Sequence, residues 1–304
     1  MNQPRLRRSE LAVPASSERF IEKSAASEAD LVFLDLEDAT APDAKEGARQ
    51  TAVDALNGLD WGSKVRAVRV NDHETEWAVY DMVSILEGAG NNLDVIILPK
   101  VKKPSDLLFF ETMLKSLEKK LKIKKPIGLE VLIEEAEGLG NVEAIASCSD
   151  RLEALILGFG DLAASMGMRF GHERDDTLRY PGDLWHAHRV RLIAACRAAG
   201  IDAIDGPFGN FRNADAYRAQ ATWAATLGAV GKWCIHPSQI EHANEIFAPS
   251  EREIAVAKKM VDAYEASVQS GDGAAGAGGM LVDAATVRLY QPVIDRARQI
   301  GLLE

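Results

Sequence analysis

Short continuous apolar runs recur eight times along the chain, at residues 9–13, 31–37, 65–71, 94–100, 127–134, 152–160, 201–205 and 231–236. They do not alternate with polar residues, which is the mark of strands covered on both faces. Between them the apolar positions take helical spacing, over 16–29, 43–57, 74–89, 104–122, 137–147, 184–199 and 213–227. Strand and helix alternating eight times predict an α/β chain folded as a (β/α)8 TIM barrel, with a doubly wound open sheet as the fallback.

Such a barrel needs roughly 250 residues, so residues 1–248 are assigned to it and 249–304 are left over. The remainder reads as a helix over 250–268, the stretch SGDGAAGAGG at 270–279, and an amphipathic helix over 283–300. So many glycines cannot pack a core, and they are expected to act as the hinge or tether of a C-terminal helical lid or arm. A loop that only caps the barrel is the plainer alternative.

Charged residues follow the runs closely. They are Asp35, Glu37 and Asp38 after LVFL, Arg69 after VRAV, Lys100 after VIILP, Glu134 after LEVLI, Asp161 after LILGFG, Asp205 after DAI, and His236 after KWCI. Parallel strands that bury the run and release the next polar residue at their C-terminal ends would gather these groups around one site.

The composition narrows what that site serves. With 304 residues and 47% hydrophobic content the chain can bury a large core, and a formal net charge of −11 argues against nucleic-acid or anionic-membrane partners. Cys148, Cys196 and Cys234 share no paired motif and are expected to be free thiols in a reducing compartment. No run is long enough for a membrane span, and MNQPRLRRSELAVPA lacks the apolar core of a signal peptide, so a cytoplasmic location is expected. The KKLKIKK run at 119–125 is read as a solvated helix end before a phosphate-binding patch.

Glu134 and Asp161 end consecutive strands, and two carboxylates so placed are a usual means of holding Mg2+, with waters and substrate oxygens completing the octahedron. Each alone is as well explained by a helix cap or an ion pair. With Asp35, Glu37 and Asp38 across the same mouth, a divalent ion would relieve the repulsion between the acids. Arg69 offers a planar donor fork for a carboxylate or a developing enolate oxygen, or else an internal ion pair with an acid of LDLED. His236 either holds the turn before Pro237 or donates to a substrate oxygen. No G-x-S-x-G, dinucleotide-binding G-x-G-x-x-G or Walker loop is present, which disfavours a serine-hydrolase, nicotinamide or nucleotide-hydrolysis reading.

The segments LDLEDATAPDAKEGAR, VRVN, ILPKV, LEVLIEEAEGL, LGFGDLAASMG, IDGPFGNF and GKWCIHPSQIEHANEIFAPSE together resemble the citrate lyase β-subunit-like (HpcH/HpaI aldolase) family of CoA-ester lyases. AVPASSERFIEKSAASEADLVFLDLEDATAPD, ALNGLDWG, DLWH and IDGPFG bring the chain nearest to the L-malyl-CoA/β-methylmalyl-CoA lyase branch. The resemblance implies Mg2+-dependent retro-Claisen cleavage of malyl-CoA or β-methylmalyl-CoA to acetyl-CoA or propionyl-CoA and glyoxylate, with Mn2+ as a substitute ion. It implies a homotrimer or homohexamer that exchanges its lid between subunits. By motif position Glu134 and Asp161 are then metal ligands, Arg69 polarises the thioester, and Asp283 in MLVDAA is the base carried on the lid. Lys23, Arg19, Gly160, Ile235 and His236 are implied to contact substrate or CoA, and Asp35, Glu37 and Asp38 to surround the ion's waters.

Two departures from that branch bear on substrate. Ala12 and Ser17 stand where such lyases can carry an aromatic and an arginine near the CoA nucleotide, with Arg19 as a substitute, and the 169–182 loop is shorter. A citramalyl-CoA lyase or a malyl-CoA thioesterase is the enzymatic alternative. A subunit of a citrate-lyase-like complex, acting on a carrier-bound acyl group, is the alternative of another class.

Overall fold

The computed structural model describes residues 5–169 and 182–303. Within them eight strands form a closed parallel barrel: β1 Ser9–Pro14, β2 Leu31–Asp35, β3 Val65–Arg69, β4 Val95–Leu98, β5 Gly128–Ile133, β6 Leu152–Leu157, β7 Asp202–Asp205 and β8 Gly231–Cys234. Each pairs with its sequence neighbour, and β1 closes the ring on β8. All eight expected strands are present. Their connecting helices are α1 Glu18–Ala25, α2 Lys45–Gly58, α3 Ala78–Ala89, α4 Pro104–Leu121, α5 Ala136–Gly140, α6 Val142–Ala146, α7 Phe159–Ser165, α8 His186–Ala199, α9 Ala214–Leu227 and α10 Ile240–Ile246. The single helix expected over 137–147 is two short ones, α5 and α6, separated by Asn141.

Strand residues alternate between the barrel interior and the helical shell, and this period of two sorts the interior into levels. Leu31, Phe33, Val65, Ala67, Val95, Ile97, Leu132, Ala154, Ile156, Ile204 and Trp233 form one buried cluster. Phe33 and Trp233 pack at its centre with ring centroids 4.5 Å apart. Continuing the same parity toward the C-terminal ends brings Asp35 and Arg69, which are direct register partners, and Glu134. Continuing it the other way brings Glu10 and Glu130, both fully buried. The chain therefore places carboxyls at both ends of one apolar plug.

At the lower end Arg7 reaches Glu153 Oε2 at 2.8 Å, Asp202 Oδ2 at 2.9 Å and Glu130 Oε1 at 3.0 Å. The last contact is not aligned as a hydrogen bond, so both Glu130 oxygens and Glu10 Oε1 are buried without a donor. Burial drives both carboxyls upward, Glu10 well above the ordinary range and Glu130 to about 7, against the pull of Arg7.

The chain divides into two compact units, residues 1–244 and 245–304. The second unit holds α11 Glu251–Gln269 and α12 Ala284–Gln299, packed on each other through Ala257, Val261 and Ile294. The glycine-rich stretch is not featureless. Ala275–Ala277 (β9) and Met280–Val282 (β10) pair as an antiparallel hairpin. Gly278 and Gly279 turn it with φ of 59° and 81°, values that favour glycine at both central positions. Met260, Ala277 and Val282 then form a small buried cluster, so this part of the expected tether is held by packing. Cys148, Cys196 and Cys234 are free. The KKLKIKK run ends α4 with basic residues in its last turn, and the exposed Lys120 pairs with Glu87 at 3.1 Å. No helix among the described residues is long and apolar enough to cross a membrane. The short-loop departure falls almost wholly on residues 170–181, outside the described residues.

Candidate active site

A cavity of about 470 Å³ opens at the C-terminal ends of the strands, lined by Ala12, Asp35, Arg69, Glu134, Asp161 and Trp233 among others. Asp38, Gly160 and Ile235 also line it. Arg69 is clamped from below and beside. Its Nε and Nη2 donate to the two oxygens of Asp35 at 2.8 and 2.6 Å, and Nη1 lies 2.9 Å from Glu37 Oε2. A guanidinium has five N–H donors; two are bonded to Asp35, and the contact with Glu37, whose Oε2 has no aligned donor, is a charge pairing, so donors remain for a ligand. The internal ion pair and a substrate-facing role are thus compatible in one residue.

Asp35 also accepts the backbone N–H groups of Glu37 and Ala39, at 2.9 and 3.1 Å, and so folds the LEDA loop over itself. The buried Lys45 secures the same loop from behind, donating to the carbonyls of Leu36 and Glu37 at 2.8 and 3.0 Å. Glu37 is shared between Arg69 and the Lys100 ammonium, while the exposed Asp38 lies 3.3 Å from Lys100 Nζ. Asp35 and Glu37 are therefore tied to the protein, with Asp38 the freest of the three acids.

Glu134 is almost fully buried, and Gly158 makes room for it: a Cβ at Gly158 would stand 2.6 Å from Glu134 Cβ and 2.7 Å from its Oε2. Its Oε1 accepts the Lys100 N–H at 2.9 Å. Burial, reinforced by Glu37 and Asp161 and opposed by Arg69, pushes the Glu134 carboxyl up to about 8. A cation beside it would reverse that shift. Asp161, in the first turn of α7, has a half-exposed carboxylate that lies 4.0 Å from the Lys100 ammonium. Among the described residues no three His, Cys, Asp or Glu side chains form a ready-made cage. Two carboxylates with open positions between them suit Mg2+, which keeps most of its waters. The donor set fits that ion.

Several residues support this arrangement without having stood out in the sequence. Trp233 carries the Arg69 guanidinium 5.4 Å above its ring and donates Nε1 to Glu10 Oε2 at 2.8 Å. Phe159, beside Gly158, stacks on Trp185 with centroids 4.7 Å apart and lies within 5.0–5.2 Å of the Arg189 and Lys232 charges. Lys232 is fully buried and donates to Asp205 at 2.5 Å, and Arg189 donates to Asp205 at 2.7 Å. A lysine inside the apolar run GKWCI and a tryptophan in DLWH were the available signals.

Other expected residues of the barrel unit do not line the cavity. Arg19 and Lys23 are exposed on α1, and Ser17 stands at its N-cap without a side-chain hydrogen bond. His236 accepts the Ser238 N–H at 3.2 Å and stacks on Phe211 with centroids 4.5 Å apart, the turn-holding arrangement of its two alternatives. Asp205, expected at the shared mouth, is instead buried in the Arg189–Lys232 pairing. Asp283 caps α12, accepting the N–H groups of Ala285 and Thr286 at 2.9 and 3.0 Å, and these bonds, that from Thr286 foremost, hold its carboxyl below the usual range.

A closed (β/α)8 barrel with acids and an arginine converging at its C-terminal mouth is an enzyme architecture. The chain belongs to the HpcH/HpaI aldolase/citrate lyase family, whose model matches residues 8–237, and it is an enzyme of the lyase class. It is 42% identical over 303 residues to the L-malyl-CoA/β-methylmalyl-CoA lyase of Cereibacter sphaeroides, covering 97% of this chain and 95% of that protein. It is 34% identical to a (3S)-malyl-CoA thioesterase of the same species, over 97% and 95% of the two chains. Among solved structures it is similar to CitE from Mycobacterium tuberculosis in complex with magnesium, acetoacetate and coenzyme A, at 27% identity, with a TM-score of 0.74 and coverage of 95% and 97%.

Proposed function

We propose that this protein catalyses the reversible Mg2+-dependent cleavage of malyl-CoA, or its β-methyl homologue, to acetyl-CoA or propionyl-CoA and glyoxylate. The observation that carries the reading is the convergence of Glu134, Asp161 and the clamped Arg69 on one cavity. The similarity to a malyl-CoA/β-methylmalyl-CoA lyase over nearly the whole chain supports the substrate class.

Glu134 and Asp161 would hold the ion, whose contribution when bound is to orient and polarise the glyoxylate carbonyl and carboxylate. In the condensation direction a base takes a proton from the thioester's α-carbon, and the electron pair moves onto the thioester oxygen. The N–H groups of Arg69 that are not bonded to Asp35 stabilise that enolate oxygen, while Asp35 and Glu37 keep the guanidinium from rotating away. The enolate carbon then attacks the aldehyde carbon of glyoxylate, and the new alkoxide takes up a proton. Cleavage is the reverse. We assign the base to Asp283, whose motif position carries the assignment; the cap bonds fall on its Oδ1, and Oδ2 is the oxygen assigned to accept the proton. Arg19, Lys23, Ile235 and His236 are proposed to contact CoA or substrate, and the protein to be a homotrimer or homohexamer.

The test is purified protein with Mg2+, acetyl-CoA and glyoxylate, followed for malyl-CoA formation. Condensation by wild type, with a loss of at least ~10³-fold in Glu134→Gln and Asp161→Asn together with lost Mg2+ binding, is expected. No condensation with acetyl-CoA or propionyl-CoA overturns the lyase reading, and malyl-CoA hydrolysis without glyoxylate release points to the thioesterase instead. Product from pyruvate would shift the substrate to citramalyl-CoA. Mixing Asp283→Asn with Glu134→Gln protein tests exchange between subunits, since recovered activity requires residues from two chains.

A further inference from the structure

Lys100 has no task in the chemistry above, yet its backbone is unusual. It stands at φ 51°, in the left-handed region that residues other than glycine rarely adopt. Lys122 does the same, but as the C-cap of α4, where that conformation is ordinary. Lys100 closes no helix; it follows β4 directly into the site. A strained conformation persists only where its surroundings over-determine it, and such residues cluster at functional sites.

Two contacts accompany the conformation. The Lys100 N–H is aimed at Glu134 Oε1, 2.9 Å away, which occupies one oxygen of that carboxyl and leaves Oε2 against Gly158. The side chain lies over the acids. Its ammonium pairs with Glu37 and stands 3.3 Å from Asp38 Oδ1 and 4.0 Å from Asp161 Oδ2.

We infer that Lys100 is a positioning residue for the metal site: its amide orients Glu134, and its ammonium is the resident counter-cation that holds Glu37, Asp38 and Asp161 together until a divalent ion arrives. The inference rests on the reading that Glu134 and Asp161 hold Mg2+. Without a cation, like charges this close would push one another away. The same ammonium repels an incoming divalent ion, so it trades affinity for a ready-made site. A unit charge and a divalent ion a few ångströms apart change an affinity about tenfold even in water-like surroundings.

The test is Mg2+ titration by calorimetry, without substrate, on wild type and three variants. Lys100→Gly keeps the amide and accepts the left-handed backbone but lacks the ammonium; it is expected to bind Mg2+ about tenfold more tightly and to gain more in Tm on adding Mg2+. Lys100→Met, which keeps the bulk of the stem, is expected to move affinity in the same direction, and Lys100→Arg to restore the wild-type value. A lysine that serves only the fold would lower affinity in the Gly and Met variants, and unchanged or weaker binding in both overturns the inference alone. Wild type that binds no Mg2+ overturns the metal reading and this inference with it.

Discussion

The barrel carries a group of carboxyls at each end of one apolar plug, and the two ends treat them in opposite ways. At the mouth, Asp35, Glu37, Asp38, Glu134 and Asp161 surround Arg69 and Lys100, and a cavity opens beside them. At the floor, Glu10, Glu130, Glu153 and the partly exposed Asp202 surround the buried Arg7. The mouth can recruit an ion and a substrate to balance its charge. Among the described residues the cations at the floor are Arg7 and Arg5, and burial outweighs their pull to lift Glu10 and Glu130. Residue type alone therefore does not make a site; access to a ligand does.

Removing Arg7 should break the floor most severely. Arg7→Met is expected to destabilise by about 3–5 kcal/mol near neutral pH, because it strands buried carboxyls without their cation. Urea unfolding at pH 5 and pH 8 would check it, with the smaller penalty at pH 5, where those carboxyls can take protons. An equal penalty at both values would mean that Arg7 acts through packing only, and the contrast with the mouth would fail.

A smaller effect, with a definite sign, belongs to Glu130. Its carboxyl is raised from the ordinary 4.5 to about 7, so between those values the folded state holds a proton that the unfolded state has released. Unfolding free energy then falls as pH rises through this window, by up to about 1.4 kcal/mol per pH unit for one such group. Its stabilising contribution is fully present below pH 4.5 and lost as pH passes 7. Glu130→Gln keeps the neutral form at every pH, and its stability should vary less with pH from 5 to 8 than that of wild type.

Trp233 joins the two ends, with Glu10 beneath its Nε1 and Arg69 above its ring. Trp233→Phe keeps a ring under Arg69 but removes the donor to Glu10, and a loss of about 1–2 kcal/mol in stability is expected. If the mouth is independent of the floor, KM for glyoxylate and kcat should hardly move. A large fall in kcat would show that the floor positions the arginine through the indole.

Much of the scaffold was legible along the chain because each buried parallel strand is an uninterrupted apolar run, and all eight runs became strands. The strand-end acids were legible for the same reason, since polarity resumes where burial stops. Glu10, Glu130 and Lys232 were harder to place: each sits inside an apolar run, and linear reading does not distinguish a buried ion pair from an end-of-strand group. Asp205 shows the converse. It ends its strand, as the pattern required, yet it turns to Arg189 and Lys232 because the cations that meet it come from α8, 16 residues earlier in the chain, and from β8, 27 residues later. The hairpin at 275–282 was hidden because glycine-rich composition signals freedom, while Gly278–Gly279 supplies the two positive φ values that a tight turn needs.

By itself the sequence determined the order of strands and helices, the acids and arginine that end them, and the motifs that carry the family resemblance. These follow from local rules: hydrophobic period, turn chemistry and residue type. The tertiary structure decided which charges meet, and hence that Arg69 is clamped by Asp35 and Glu37, that Gly158 makes room for Glu134, and that Lys100 bends back over the acids in a left-handed backbone. Pairings such as Arg69–Asp35 and Lys100–Glu37 join residues 34 and 63 positions apart. Barrel closure and strand register bring them together, and neither is encoded in any single stretch of chain.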